Sequence, residues 1–401
     1  MTLAVEIAEA RPRVIAALAT RFRDLDTAED AFAAACEALL AQGQQAPDNV
    51  AGWLYRVALR KAVDTKRKAG RERAASEAAA IMSEQHTIIT LPDPIPDERL
   101  KLLFVCCHPA LAPEARVAMA LKVVCGTEVE DIARAFAVSV PTMYQRITRA
   151  KAKIAAANIP FELPHRREWP SRIASVLGAL EVSYLQTYGP EEGADRSGVA
   201  ADVLSLAQML CELLPDDSEA KGFCALLLIT GARLPARLDD DGAMVPLSRQ
   251  DTSRWDHAMI EQGRILLDEA ALVNRPGPYQ VLAAIQLTHS ARLAGGEVNW
   301  EAIAELYDAL LVMRPGPIVA INRSLAVAEV EGAAAGLETL DAIDVSRLTE
   351  HRPLCVARAR LLEKSGKAAA AKAMVEKALA ADPPPPEKLF LERWRDRISA
   401  V

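Results

Sequence analysis

EVEDIARAFAVSVPTMYQRITRAKAKI, residues 128–154, is the stretch on which the fold turns. Val129 to Phe136 has apolar residues at helical spacing, and Ala133 is small where a second helix has to approach. Ala137, Val138 and Ser139 form a short turn; Ser139 is a suitable N-cap, and Pro141 falls in the first turn of the helix that follows. The segment reads as a helix-turn-helix. Thr142, Gln145, Arg146 and Arg149 project from its second helix. Arg pairs in bidentate fashion with guanine edges and Gln with adenine edges, while Lys151 and Lys153 suit phosphate. An ordinary helical hairpin with a solvated basic face would carry the same pattern.

Working outward toward the amino terminus, GWLYRVALRKAVDTKRKAGRER (residues 52–73) is a second basic segment. Its helix, from about Val50, is expected to bury Trp53, Leu54, Val57 and Val63. Arg56, Arg60, Lys61, Lys66, Arg67, Lys68, Arg71 and Arg73 give it a cationic stretch that Asp64 and Glu72 only partly offset. Such a face can neutralise a phosphate backbone, and Trp53 and Tyr55 could stack on unpaired bases, although Trp53 fits a core position better. Charge on a helix is by itself weak evidence, because many basic faces are merely solvated. Before this segment lie two more amphipathic helices between Val5 and Leu40, with Asp26 and Thr27 placed to cap the second and Glu29 and Asp30 in its first turn. Between the two basic segments, Pro92, Pro94 and Pro96 alternate and favour an extended path, so residues 71–98 read as a linker.

Beyond Pro160 the sequence is helical with an internal rhythm. RPGPY at Arg275–Tyr279 recurs as RPGPI at Arg314–Ile318, and a further Arg-Pro pair follows at Arg352–Pro353. The last unit, VARARLLEKSGKAAAAKAMVEKALAADP, has the small-residue and glycine placement of a tetratricopeptide-type (TPR) hairpin, though the spacing is longer than the ~34 residues of that repeat. The fold class expected is all-α: two small helical modules joined by a linker, followed by a TPR-like helical repeat domain. Scarce aromatics and abundant alanine agree with close-packed helices.

Charge divides along the same boundary. Residues 1–160 carry 21 Lys+Arg against 19 Asp+Glu, and the remainder 26 against 35, within a net charge of −7. The front half is the plausible nucleic-acid partner, and the overall acidity disfavours indiscriminate coating of DNA. Seven scattered cysteines without a CxxC pair read as buried reduced thiols of a cytoplasmic protein. Neither a signal peptide nor an apolar run of membrane-spanning length is evident. Cys106–Cys107–His108 invites a zinc reading but lacks partner ligands, and the Asp239–Asp241 run before Gly242 lacks the alternation and closing Glu of a calcium loop. Neither metal nor cofactor is expected. No triad order, phosphate-cradling glycine loop or HExxH motif gives an enzyme reading an anchor, so the chain is expected not to be an enzyme.

Taken in order, RFRDLDTAEDA, GWLYRVALRKAVDTKRK, the linker and DERLKLLFVCCHPALAPEARVAMALKVVCGTEVEDIARAFAVSVPTMYQRITRAKAKI resemble the extracytoplasmic-function (ECF) sigma factors of RNA polymerase. FVCCHPAL, RQDTSRWD, RPGPYQ and EVNWEAIAELYDAL resemble signature stretches of the group with a long TPR-like extension, so the resemblance spans almost the whole chain. It implies that residues 1–70 form sigma region 2, which binds polymerase and reads the −10 element. Residues 99–159 would form region 4, reading the −35 element, and residues 160–401 the TPR-like domain. It implies core RNA polymerase and promoter DNA as partners, a protein partner or ligand for the carboxy-terminal domain, and no membrane. Asp24, Asp26, Glu29 and Asp30 would lie on the surface that docks on the polymerase clamp, and the loop Gln42–Asn49 would capture a flipped −10 base. The second helix departs from the family pattern, since DAFAAACEALL lacks its Gln-Glu pair. A free-standing helix-turn-helix regulator with a TPR-like sensor, or a scaffold whose basic helices are incidental, would also fit the residues.

Overall fold

A computed structural model describes residues 3–41, 47, 49–68, 98–136, 138–187, 197–344 and 351–399. The expectations for the linker, for Arg71 and Arg73 and for most of the Gln42–Asn49 loop lie outside these residues. Among the described residues the regular structure is helical, apart from one isolated bridge between Leu238 and Met244. The all-α class is therefore correct. The chain divides into two compact units, residues 1–187 with 195–206, and residues 188–194 with 207–401.

The first unit begins with α1 (Leu3–Phe22), α2 (Leu25–Ala41) and α3 (Val50–Lys68). It continues with α4 (Arg99–Cys106), α5 (Pro113–Met119) and a π-helical turn over Ala120–Cys125. The helix-turn-helix follows as α6 (Val129–Ala135) and α7 (Val140–Ala156), and then α8 (Trp169–Thr187). Local chemistry sets most of the boundaries. Asp24, rather than Asp26 or Thr27, starts α2: its carboxylate accepts from the Asp26 and Thr27 amides at 3.1 and 3.4 Å and from the Thr27 hydroxyl at 2.6 Å. The helix begins earlier than expected because Leu25 is drawn into the core. Asn49 caps α3 by accepting from the Gly52 amide at 2.7 Å, and a Cβ on Gly52 would crowd that cap at 3.1 Å. Ser139 caps α7 as anticipated, accepting from the Thr142 amide at 3.3 Å with Pro141 in the first turn. Helix α1 packs on α2, α3, α4 and the π-helical turn. Ile15, Leu18, Leu54, Leu102, Met119, Ile132 and Met143 are fully buried in this unit.

The second unit contains α10 (Ser218–Gly231), α11 (His257–Leu272), α12 (Pro278–Thr288), α13 (Trp300–Met313) and α14 (Pro317–Val330). It ends with α15 (Ala333–Asp341), α16 (Arg352–Lys364), α17 (Ala368–Leu379) and α18 (Pro385–Ser399); α9 (Ser197–Leu213), which precedes α10, belongs to the first unit as far as Leu206. From α10 onward, consecutive helices pack on one another, and separate apolar clusters lie between α12, α13 and α14, between α14, α15 and α16, and among α16, α17 and α18. The repeated RPGP has a structural meaning. Each copy starts a helix, with Gly277 or Gly316 at the N-cap and Pro278 or Pro317 in the first turn, where a missing amide costs nothing. At the first copy the Glu219 carboxylate accepts from the Tyr279 and Gln280 amides at 3.1 and 3.3 Å. A Cβ on Gly277 would fall 2.3 Å from that carboxyl group and would have to push it off the two amides.

The RQDTSRWD stretch is also structural. Asp251 caps a short 3-10 turn, and Asp256 caps α11 by accepting from the Met259 amide at 3.0 Å. Trp255 is buried with the Arg233 and Arg292 guanidiniums 5.6 and 5.8 Å from its ring centroid. Asp239 and Asp241 each take one arm of Arg393 at 2.8 Å, which ties the Leu238–Met244 loop to α18.

Candidate nucleic-acid interface

Helix α7 separates its residues cleanly. Met143, Ile147, Ala150 and Ile154 are buried against the rest of the unit, while Thr142, Gln145 and Arg149 are exposed together on the other side. Arg146 is half-buried, with its guanidinium 5.9 Å from the centroid of the Phe136 ring, which holds it beside the turn. Arg134 and Asp131 pair with each other on α6 at 3.0 Å, and Tyr144 donates to Glu130 at 3.4 Å. Thus, among the described residues, Thr142, Gln145 and Arg149 have no acidic partner along the exposed face of the second helix. That is the surface such a helix presents to base edges.

Helix α3 buries Val50, Leu54, Ala58, Leu59, Ala62 and Val63. Trp53 and Val57, expected in the core, are only half-buried, because the buried stripe runs through positions 50, 54, 58 and 62 and their neighbours at 59 and 63. Arg56, Arg60 and Lys61 are exposed with no ion pair among the described residues. Lys66, Arg67 and Lys68 continue the same helix.

Lys151 is placed differently from expectation. Its ammonium lies 2.6 Å from Asp26 and 2.7 Å from Glu29, on the amino-terminal turns of α2. Its side chain retains 20% exposure and that of Glu29 15%. Partial burial works against the charge, but the Glu29 carboxylate and the hydrogen bonds to Asp26 and Glu29 outweigh it and raise the ammonium pKa. Lys151 is thus occupied internally rather than offered to phosphate, and it occupies two of the four carboxylates expected on a docking surface. A third, Asp24, is taken up by the α2 cap, whereas Asp30 is exposed. Arg11 extends the contact, reaching Glu29 at 3.5 Å and the Lys122 carbonyl at 3.3 Å. Gly126, at φ 81°, leaves room for Arg11; a Cβ there would lie 2.3 Å from its Nε. Sequence reasoning missed this network. Lys151 sits on a basic helix and Asp26 and Glu29 on an acidic first turn, and nothing local pairs them.

The cysteines are free thiols, and those at 36, 125, 211 and 355 are only half-buried. Burial pushes Cys107 up to about 12 and Cys106 well above the usual thiol range. His108 Nδ1 accepts from the Ala110 amide at 3.1 Å and so finishes α4. Among the described residues no group of His, Cys, Asp and Glu is placed to hold a metal, and no helix is long and apolar enough to cross a membrane.

Comparison with known proteins agrees with this geometry. The sigma-70 region 4 family matches residues 101–154, from α4 through α7, and supports a sigma-factor-like, DNA-binding protein that interacts with RNA polymerase. A family of unknown function, DUF6596, matches residues 172–271. An uncharacterized protein of Rhizobium meliloti (strain 1021) is 35% identical over 405 residues, covering 98% of this chain and 95% of its own. No solved structure matches the chain. The chain belongs to the same family as the Rhizobium meliloti protein.

Proposed function

We propose that this member of the Rhizobium protein's family is an ECF-type sigma factor, directing promoter-specific initiation while bound to core RNA polymerase. Residues 1–70 serve as region 2, residues 71–98 as the linker, residues 99–159 as region 4, and residues 160–401 as a TPR-like domain that modulates activity. One observation carries the reading. Two separate helices, α3 and α7, each present cationic or base-reading side chains with no acidic partner among the described residues, and the second lies almost wholly within the region 4 match. Arg56, Arg60, Lys61, Lys66, Arg67 and Lys68 act at the −10 element, and Thr142, Gln145, Arg146 and Arg149 at the −35 element.

In this reading Lys151 has two alternative partners. While Asp26 and Glu29 hold it, it is kept from phosphate and the sheltered Glu29 is kept from polymerase, whereas Asp26 stays largely exposed. Docking of the polymerase on Asp24, Asp26, Glu29 and Asp30 releases the lysine toward DNA. Purified full-length protein should give promoter-dependent transcripts with core polymerase, and sequencing their starts would reveal the promoter. Mobility shifts on duplex DNA should require polymerase. Tight shifts without polymerase would indicate a free-standing regulator, and absence of any promoter-dependent transcript would refute the sigma reading.

A further inference from the structure

Within the second unit, a cavity of about 590 Å³ opens between the chain at Leu247–Ser248, the turn after α12, and helices α13, α14 and α16. Its volume falls in the range of small-molecule sites, roughly 300–1,000 Å³. One wall is aromatic and aliphatic: Trp300, Ile303, Tyr307 and Leu325. His289 stands edge-on to Trp300, with ring centroids 5.3 Å apart. This is a lined site of the mixed kind small ligands use, an apolar body with a few polar groups converging on it.

The lining carries two arginines and two glutamates, and Lys364 adds a third cation beside Glu329. Arg292 gives its terminal nitrogens to the Leu247 and Gln250 carbonyls, which bind it, and it has no carboxylate partner among the described residues. Arg360 reaches Glu329 at 3.2 Å, but Lys364 reaches the same carboxylate at 2.6 Å, so two cations share one anion. The field is felt at His289: burial first, then the Arg233, Arg292 and Arg360 charges, hold its imidazole down at about 4 and therefore neutral. Asn322 adds an amide. Glu297 is exposed at the margin and Glu329 lies by Arg360, so a second negative charge on a ligand would meet a carboxylate.

We propose that this cavity binds a small organic monocarboxylate with a flat or branched apolar body, its carboxylate toward Arg292 and Arg360 and its body against Trp300 and Tyr307. The inference does not depend on the sigma reading, because its test measures binding alone. Isothermal titration calorimetry on the full chain would compare 2-naphthoate, its neutral amide 2-naphthamide, and the dianion naphthalene-2,6-dicarboxylate. Naphthoate should bind about tenfold or more tighter than either, since losing a charge-assisted hydrogen bond or adding a repulsion costs at least that factor. Arg360→Gln, at a partly exposed position whose partner keeps Lys364, should fold and weaken naphthoate about tenfold. Asn322→Trp should occupy the cavity and abolish binding. No heat with naphthoate at millimolar concentration, equal affinity for the amide or dianion, or an unchanged affinity in R360Q would overturn the proposal.

Discussion

Replacing Lys151 by Met should loosen the tie between α7 and α2 by a calculable amount. The Lys151–Glu29 pair is largely sheltered, so it counts as a hydrogen bond between charged groups, about 1.5–3 kcal/mol. Asp26 has a 69% exposed side chain, and its pair contributes at most about 1 kcal/mol. Removing the lysine leaves Glu29 with Arg11 at 3.5 Å, so the carboxylate is not orphaned and the lower part of the range applies. The expected loss is about 2 kcal/mol, which speeds hydrogen exchange in α2 and α7 roughly 30-fold where exchange requires this contact to open. Glu29→Gln should produce much of the same effect and Asp26→Asn little of it. A double-mutant cycle of K151M with E29Q should return a coupling of about 1–2 kcal/mol. Molar salt should erase the Asp26 contribution and spare that of Glu29. Because the lysine pKa is raised, its stabilisation is complete below the ordinary lysine value and is lost only as pH rises through the folded one. Exchange corrected for its intrinsic pH dependence should therefore not change between neutral pH and pH 9 on this account. Unchanged protection in K151M, or an Asp26→Asn effect as large as that of Glu29→Gln, would refute the reasoning.

Gly277→Ala should destabilise the second unit by about 1–3 kcal/mol, because its Cβ would collide with the Glu219 carboxyl group; a denaturant titration measures it. His289 is held near 4 when folded and would return to about 6.5 when unfolded, so the unfolded chain takes up the proton first as pH falls. Stability should decline from about pH 6.5 to pH 4 by on the order of 3 kcal/mol, and the difference between wild type and His289→Asn in melting curves across that window isolates it. In polymerase-dependent promoter binding, Arg149→Ala should cost about tenfold or more and relax preference at one position of the upstream element. Lys61→Ala should weaken all promoters alike and reduce the slope of log affinity against log salt by about one.

What could be read from the sequence alone is what local interactions decide. The spacing of apolar residues in Val129–Phe136 and Val140–Ile154, with Ser139 and Pro141 between them, places two helices and a turn regardless of surroundings. The exposed Thr142, Gln145 and Arg149 follow from the same period, as do Arg56, Arg60 and Lys61 on α3. The Arg-Pro-Gly-Pro recurrence was legible only as a rhythm; the structure shows that each copy starts a helix, since proline and glycine act on their own backbone. Where neighbours compete locally, the reading slipped: Asp24 took the cap assigned to Asp26 once Leu25 was buried, and Trp53 was left at the edge of the stripe. Tertiary structure alone decided the rest. Lys151 meets Asp26 across 125 residues of sequence, Gly277 abuts the Glu219 carboxyl group, and His289 is held neutral first by burial and then by arginines from beyond α10, from the turn after α12 and from α16. Charge and close packing act through space, and the order of residues along a chain records neither which distant groups come within a few ångströms nor which of them are shielded from water when they do.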